Sequence, residues 1–161
     1  MGRLGTKTMA AVAIAASATL TVTACQAKPA AEIVGKQWQV TAIYDDPALP
    51  HAIPDGVDAP TITLGQTTYT LADACGNESG ALKWKGEAVE LGAPEQDRAT
   101  DCSVQAQTYA KRFREIIVGE FTYTRDDNGL RMRELTDSEK ASEYDENRGW
   151  TAVTSGYTEG R

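Results

Sequence analysis

The stretch Thr61–Leu91, TITLGQTTYTLADACGNESGALKWKGEAVEL, decides the fold of this chain. It contains four short runs that are rich in threonine or alternate apolar with polar residues, at 61–64, 67–71, 81–85 and 87–91. Such runs are typical of half-buried strands. Gly65 and Gly86 lie between the members of each pair and predict two hairpins. The stretch therefore predicts four antiparallel strands.

Outside this stretch, the same patterns predict four more strands, at 36–44, 121–125, 130–135 and 149–155. In the first of them, Trp38, Val40, Ala42 and Tyr44 alternate with mostly polar residues. Asn128-Gly129 precedes the strand at 130–135 and predicts a tight turn with positive φ. Residues 45–60 contain four of the six prolines and are predicted to form a loop.

One segment has a helical period instead. Between Cys102 and Gly119, apolar residues recur every three or four positions, at Ala106, Tyr109, Ala110, Phe113, Ile116 and Ile117. This spacing predicts one amphipathic helix with a single buried stripe. Thr100, Asp101 and Ser103 are candidate N-caps, and Gly119 is a candidate stop. The predicted fold class is thus mainly β (α+β): a barrel-like antiparallel sheet of about eight strands with one inserted helix.

The N-terminus has the three parts of an export signal. Arg3 and Lys7 form a basic start, 9–20 is an apolar stretch, and small residues precede Cys25. The apolar stretch is shorter than the roughly 20 residues of a membrane-spanning helix. We therefore interpret residues 1–24 as a signal peptide that is removed.

Val22-Thr23-Ala24-Cys25 resembles the lipobox of bacterial lipoproteins. The resemblance implies cleavage after Ala24 and a diacylglyceryl group on Cys25, which would attach the chain to the cell membrane on its extracytoplasmic side. The alternative is an ordinary secreted protein in which Cys25 is incidental. The remaining chain divides into a lipidated tether at 25–32, a domain at 33–155 and a C-terminal tail at 156–161.

The charge balance limits the classes of partner. Two of the 16 basic residues and none of the 23 acidic residues precede Cys25, so the mature chain has a net charge of −9. An acidic surface argues against nucleic acid, which needs a basic footprint. It also argues against adhesion to anionic lipid, so that lipid on Cys25 would be the membrane attachment. We expect a monomer.

The three cysteines fall into two groups, Cys25 in the lipobox-like motif and Cys75 with Cys102 in the domain. With Cys25 assigned to lipid, Cys75 and Cys102 are an even pair in an oxidising compartment, which favours a disulfide. A metal pair and a catalytic thiol are the competing interpretations. Two cysteines and the single histidine, His51, do not complete a usual structural zinc site.

No residue pattern points to catalysis or to a cofactor. His51 lies in the proline-rich segment and is predicted to be a solvated loop residue. The aspartates at 45, 46, 55 and 58 and those at 126 and 127 lack the spacing of a calcium loop, so we predict no metal site. Trp38, Trp84 and Trp150 lie in predicted strands, where core packing is favoured over stacking on a sugar.

The order of several short motifs resembles a known family. Gly35 and Trp38, Cys75-Gly76-Asn77, Thr100 and Cys102 before the helix, and Gly129 to Met132 follow one another as in the META, or HslJ-like, domain of bacterial envelope lipoproteins. The family pattern Gly-Cys-Asn is replaced here by Cys75-Gly76-Asn77. The resemblance covers residues 33–135 and implies an envelope location, with no established activity.

Two functions remain open from the sequence. The first is a non-catalytic binding or scaffold module, lipid-anchored at the cell envelope, with an envelope protein as its partner. The second is a carrier that holds a small apolar ligand inside the barrel, because about eight strands is the size at which an interior is either filled or holds one ligand.

Overall fold

The computed structural model describes residues 31–46, 49–96, 101–135 and 148–155. The predicted signal peptide, Cys25, most of the tether, Thr100 and the tail at 156–161 lie outside the described residues. Within the described part, the chain forms ten strands and one helix. The elements are β1 Gln37–Asp46, β2 Leu49–Ala52, β3 Thr61–Leu64, β4 Thr68–Asp73, β5 Gly76–Lys85, β6 Ala88–Leu91, β7 Glu95–Gln96, α1 Val104–Ile117, β8 Gly119–Arg125, β9 Gly129–Glu134 and β10 Gly149–Thr154.

Eight of these strands close into an antiparallel barrel, which confirms the predicted fold class. Around the barrel the order is β1, β3, β4, β5, β6, β8, β9 and β10, and β10 pairs again with β1. The closing pair runs from Trp38 opposite Thr154 to Tyr44 opposite Gly149. Closure matters because an open sheet would leave two rows of unpaired backbone groups at its edges. β2 and β7 lie outside the ring and pair with β1 and β5.

The first part of the segment 45–60, which is predicted to be a loop, forms β-structure instead. β1 continues to Asp46, and residues 49–52 return as β2, with Ile43 opposite His51. Pro50 is compatible with this strand because β2 is at an edge, where a missing backbone N–H leaves no ladder bond broken. The prolines therefore mark an edge strand followed by a loop.

The face of β1 changes partway along the strand. Trp38, Val40 and Ile43 are fully buried, whereas Ala42 and Tyr44 are only half-buried. The pairing with β10 shifts between Val40 and Ala42. One extra residue in a strand reverses the side on which all later side chains lie. The predicted alternation through Ala42 and Tyr44 is therefore wrong beyond Val40.

β5 begins at Gly76, five residues before the predicted start at Ala81. Its inner positions are occupied by Glu78, Gly80, Leu82 and Trp84, all of them buried. The glutamate breaks the apolar pattern. At Gly80, an added Cβ would lie 2.4 Å from the Tyr69 ring, so the aromatic side chain of β4 requires a glycine opposite it.

The turn between β8 and β9 does not use the positive φ angles that the sequence predicts. Among the described residues neither Asn128 nor Gly129 has positive φ. Instead, the Gly129 amide donates to Oδ1 of Asp126 at 2.7 Å, and a Cβ on Gly129 would lie 2.4 Å from that same oxygen. The glycine is needed for this close approach.

The inner side chains form one packed cluster. The largest fully buried members are Trp38, Trp150, Tyr69, Phe113 and Phe121, with isoleucines and leucines from β3, β4, β6 and α1 between them. The ring of Phe113 packs edge-on to that of Trp150, with 6.4 Å between centroids. The interior of the described barrel is therefore built as a hydrophobic core.

α1 covers one end of the barrel, which we call the α1 end. All six residues of the predicted stripe are buried, which confirms that prediction. Of the three candidate N-caps, Ser103 is used: its Oγ accepts from the Ala106 amide at 3.2 Å. The helix ends at Ile117, two residues before the predicted stop.

The opposite end, which we call the Ile33 end, is covered by the turn that leads into β1. Ile33 is fully buried, and its carbonyl oxygen accepts from Trp38 Nε1 at 3.2 Å. The Gly35 amide donates to the Leu64 carbonyl at 2.9 Å. Both ends of the barrel are thus covered by elements of the chain itself.

Two buried tyrosines provide a test of this core. The Tyr69 hydroxyl donates to the Gly92 carbonyl at 2.7 Å, whereas the Tyr109 hydroxyl has no hydrogen-bond partner among the described residues. Burial raises the pKa of both to about 12, with the charge of Glu78 adding to the effect at Tyr69. We expect Tyr69→Phe to lower the free energy of unfolding by about 1 kcal/mol, and Tyr109→Phe to leave it unchanged or raise it. Urea unfolding measures both, and an equal loss in the two variants would contradict this account.

Candidate functional site

Cys75 and Cys102 are bonded in the structure, with an S–S distance of 2.05 Å. The bond joins the β4–β5 turn to the residue before the N-cap of α1. Its surroundings are small and apolar: Ala106 and Ala110 pack against it. On the chain-entropy model, closing a loop of 27 residues contributes roughly 3–4 kcal/mol. The disulfide therefore fixes the start of α1 on the barrel.

A buried ion cluster fixes the middle of the same helix. Arg114 donates through Nε to Glu78 at 2.8 Å and through a terminal nitrogen to Asp73 at 3.0 Å. The two carboxylate side chains are each only 3% exposed. Asp73 also accepts from the Cys75 amide at 2.7 Å. Because each carboxylate is paired, the cluster is a structural link between α1 and the β4–β5 hairpin.

His51 has partners that the sequence did not suggest. On β2, its Nε2 lies 2.7 Å from Oδ1 of Asp45, and its Nδ1 lies 3.4 Å from a terminal nitrogen of Arg112. Arg112 also forms an ion pair with Asp45. The prediction that His51 is a solvated loop residue is therefore wrong: the residue lies in a strand and contacts two charged side chains.

The Asp45–His51–Arg112 cluster lies at the α1 end and holds β2 to the helix. Partial burial acts to raise the pKa of Asp45, but the Arg112 hydrogen bond and the charges of His51 and Arg112 outweigh it, so the pKa is lowered. Both ring nitrogens of His51 face partners in this arrangement. The geometry describes a surface ion cluster.

The other predicted positions divide between structural and surface roles. Trp38, Trp84 and Trp150 are buried, so none of them presents a ring to a sugar.

Among the residues that the structure describes, no group of three or more histidines, cysteines or acidic residues is placed to hold a metal ion. Across the same residues, no helix has the length and apolar character needed to cross a membrane.

A polar groove on the side of the barrel is a candidate binding site within the part of the chain that the structure describes. It encloses about 470 Å³ and lies on the outer face of β3, β4 and β5, between Gln37 of β1 and Glu95 of β7. We call it the hydroxyl groove. Its lining consists of Gln37, Thr61, Thr63, Thr70, Leu71, Ala72, Asn77, Glu78, Ser79 and Glu95.

The strand register places the polar side chains of the hydroxyl groove in a row. Gln37 is opposite Thr63, and Thr63 is opposite Thr70. Thr70 is opposite Ser79, which is opposite Glu95. Neighbouring strands lie about 4.8 Å apart, so the row crosses five strands with one polar side chain at each step over about 19 Å. We call this row the hydroxyl ladder.

The ladder is available to a ligand. Within the described residues, the side chains of Thr63, Thr70 and Ser79 form no hydrogen bond, and Thr70 and Ser79 are exposed. The Gln37 amide donates to the hydroxyl of Thr61 at 3.3 Å, which connects the ladder to the next row of the sheet. Each free hydroxyl both donates and accepts, so the surface suits a ligand with many small polar groups.

The charge of the hydroxyl groove is low for this protein. Glu95 is its exposed carboxylate, and the carboxylate of Glu78 is paired with Arg114. No lysine or arginine lines the groove. An anionic ligand such as a phosphate would find no counter-charge there, so the surface favours a neutral ligand.

Sequence reasoning missed the groove because its residues were used only as evidence for strands. The threonines at 61, 63 and 70 belong to the predicted strands at 61–64 and 67–71, and Asn77 and Ser79 lie in the segment between the predicted strands at 67–71 and 81–85. A usable signal was present: three neighbouring runs carry small hydroxyl or amide side chains at outward positions. The register that aligns them comes only from the folded sheet.

Comparison with known proteins bears on the fold. No family model matches the chain, and no curated protein is similar to it. An NMR structure of a protein from Burkholderia xenovorans is 15% identical with a TM-score of 0.56, over 94% of this chain and 99% of the other. A second NMR structure is 11% identical with a TM-score of 0.50, over 76% and 92%. At these identities the likeness concerns the fold alone.

The buried ion cluster gives a stability prediction. Arg114→Met leaves the carboxylates of Asp73 and Glu78 buried without their cation, so we expect the free energy of unfolding to fall by about 3–5 kcal/mol. Arg112→Met removes a cation two residues away on the same helix, but its partner Asp45 is partly exposed, so we expect a loss below about 1 kcal/mol. Denaturant unfolding of both variants measures the difference. Similar losses would show that the buried cluster does not fix the helix.

Proposed function

We propose that the protein is a bacterial envelope lipoprotein of the META, or HslJ-like, kind, with a non-catalytic binding domain. In this proposal, lipid on Cys25 anchors the chain to the cell membrane on the extracytoplasmic side. The lipobox-like Val22-Thr23-Ala24-Cys25 behind a basic and apolar start supports the anchor. The pairing of Cys75 with Cys102 supports it further, because it leaves Cys25 as the cysteine available for lipid.

The observation that carries the binding role is the hydroxyl ladder. Elsewhere on the outer face, β5, β6 and β8 carry charged side chains, namely Lys85, Glu90 and Glu120. In the ladder, four neighbouring strands present uncharged polar groups in register, and the fifth, β7, presents the carboxylate of Glu95. Side chains that are small, polar and not bonded to each other form a surface that is ready to exchange water for a ligand.

The path of the chain is consistent with a membrane anchor. The described chain enters the barrel at the Ile33 end. Five residues lie between Cys25 and Ala31, and a fully extended chain from one to the other spans at most about 20 Å. A lipid on Cys25 would therefore keep the start of the domain within about 20 Å of the membrane.

The carrier alternative has less support. The inner faces of the eight barrel strands and α1 contribute to one packed cluster that contains three tryptophans. Both ends of the barrel are covered, by α1 and by Ile33. A ligand in the interior would have to displace side chains that are packed against each other, at a cost of several kcal/mol.

The anchor is tested by metabolic labelling with a palmitate analogue in a bacterial host. We expect the full chain to take up the label and Cys25→Ser to take up none, because the thioether needs the Cys25 sulfur. The double variant Cys75→Ala/Cys102→Ala is the matched control and should stay labelled. A labelled Cys25→Ser, or an unlabelled wild type, would refute the anchor.

The binding role is tested separately, by a photo-crosslinking amino acid placed at single positions of the anchored protein in cells. We expect an adduct from position 70, at the centre of the ladder. We expect none from position 124, which is exposed on the outer face of β8. The adduct should weaken when Thr63→Val and Ser79→Ala are added. Equal adducts from both positions, or none from position 70, would count against a site in the groove.

A further inference from the structure

We propose that the hydroxyl groove binds a neutral, extended glycan chain, an inference that rests on the binding role proposed above. The hydroxyl ladder supplies one polar side chain per strand, at steps of about 4.8 Å. The sugar rings of an extended β-1,4-linked chain repeat at a similar step. A glycan lying along the ladder, across the strands, would therefore meet a hydroxyl or amide at each ring.

The hydroxyl and amide groups that line the groove are complementary to the polar groups of a sugar. Sugar hydroxyls donate and accept at once, as do the hydroxyls of Thr63, Thr70 and Ser79. Gln37 and Asn77 add amides with separate donor and acceptor atoms, which also suit the acetamido group of an N-acetylated sugar. Glu95, at one end of the ladder, can accept from two neighbouring hydroxyls.

An extended peptide matches the groove less well. A peptide that adds to a sheet needs the free backbone edge of a strand, whereas β3, β4 and β5 are paired on both sides. A peptide that binds by its side chains needs apolar pockets for anchors. The apolar side chains of the groove are Ala72 and Leu71, and Leu71 is only 1% exposed. The ladder therefore favours a ligand that is polar along its whole length.

The charge of the groove selects against anionic ligands. Its exposed charge is the Glu95 carboxylate, and the whole chain has a formal net charge of −7. Nucleic acids and phosphorylated polymers would be repelled, since no cation lines the groove to offset their charge. The groove also has no aromatic side chain. Binding would rest on hydrogen bonds alone, so we expect modest affinity that depends on the length of the glycan.

The test uses the full-length protein in detergent micelles, titrated with the N-acetylglucosamine tetramer and followed by amide NMR shifts or calorimetry. We expect saturable binding with shifts confined to β1, β3, β4, β5 and β7. Thr63→Val and Thr70→Val should each raise the Kd about 3–10-fold, as expected for a lost neutral hydrogen bond. Valine keeps the shape of threonine and is at least as favourable in a strand, so the fold should be retained. Thr68→Val is the matched control: it lies on the same outer face of β4 but outside the groove lining, and should leave the Kd unchanged.

The outcomes separate the ligand class from the proposed function. No binding of the tetramer, or binding that Thr63→Val and Thr70→Val leave unchanged, overturns the glycan inference. A threonine- and alanine-rich peptide of six residues is titrated in parallel. If the peptide binds through the ladder and the tetramer does not, the glycan class is wrong while the binding role stands. The binding role itself fails only if position 70 gives no specific adduct in cells, and the anchor fails only in the labelling experiment.

Discussion

The structure depends on the pairing of β1 with β10. These strands lie at opposite ends of the domain sequence, yet they pair from Trp38 to Tyr44 against Thr154 to Gly149. Bringing them together costs loop entropy that local contacts do not recover, so the interior must supply the compensation. It does so with side chains from both strands: Trp38 and Val40 on one, and Trp150 and Ala152 on the other, are all buried. Without this pair, both strands would be open edges.

The attachment of α1 follows from the closed barrel. Closure brings the end of β1 and the start of β10 under the helix, where Phe113 packs against Trp150. Three different interactions then hold the helix there: the apolar stripe, the disulfide at its start, and the ion cluster of Arg114 with Asp73 and Glu78. Each has a different dependence on temperature, redox state and salt. A condition that weakens one of them therefore leaves the other two in place.

The strands and the helix could be predicted where a single period holds along the chain. The six residues of the helical stripe and the run at 61–64 are examples. The predictions fail where a residue far away in the sequence determines which positions of a strand are buried. Glu78 occupies an inner position of β5 because Arg114 is opposite it in the fold, and the extra residue in β1 is visible only in its pairing with β10. The same holds for the site: His51 meets Arg112 across 61 residues, and the hydroxyl ladder joins five strands whose register no local pattern specifies.

Inner and outer positions of the barrel serve different purposes, and the hydroxyl groove lies among the outer positions. The interior uses nearly all of its positions for packing, so stability leaves little freedom for recognition there. The outer face has no such constraint, and within the hydroxyl groove it carries small hydroxyl and amide groups, with Glu95 as the exposed charge. Removing water from neutral hydroxyls costs much less than removing it from carboxylates, provided that the ligand replaces the lost hydrogen bonds. A surface of this kind is selective in one direction: it admits a ligand that offers a hydrogen bond at every step, and it penalises one that leaves the hydroxyls unpaired. The regular spacing of the sheet is then itself the recognition element, because it fixes where each of those bonds must fall.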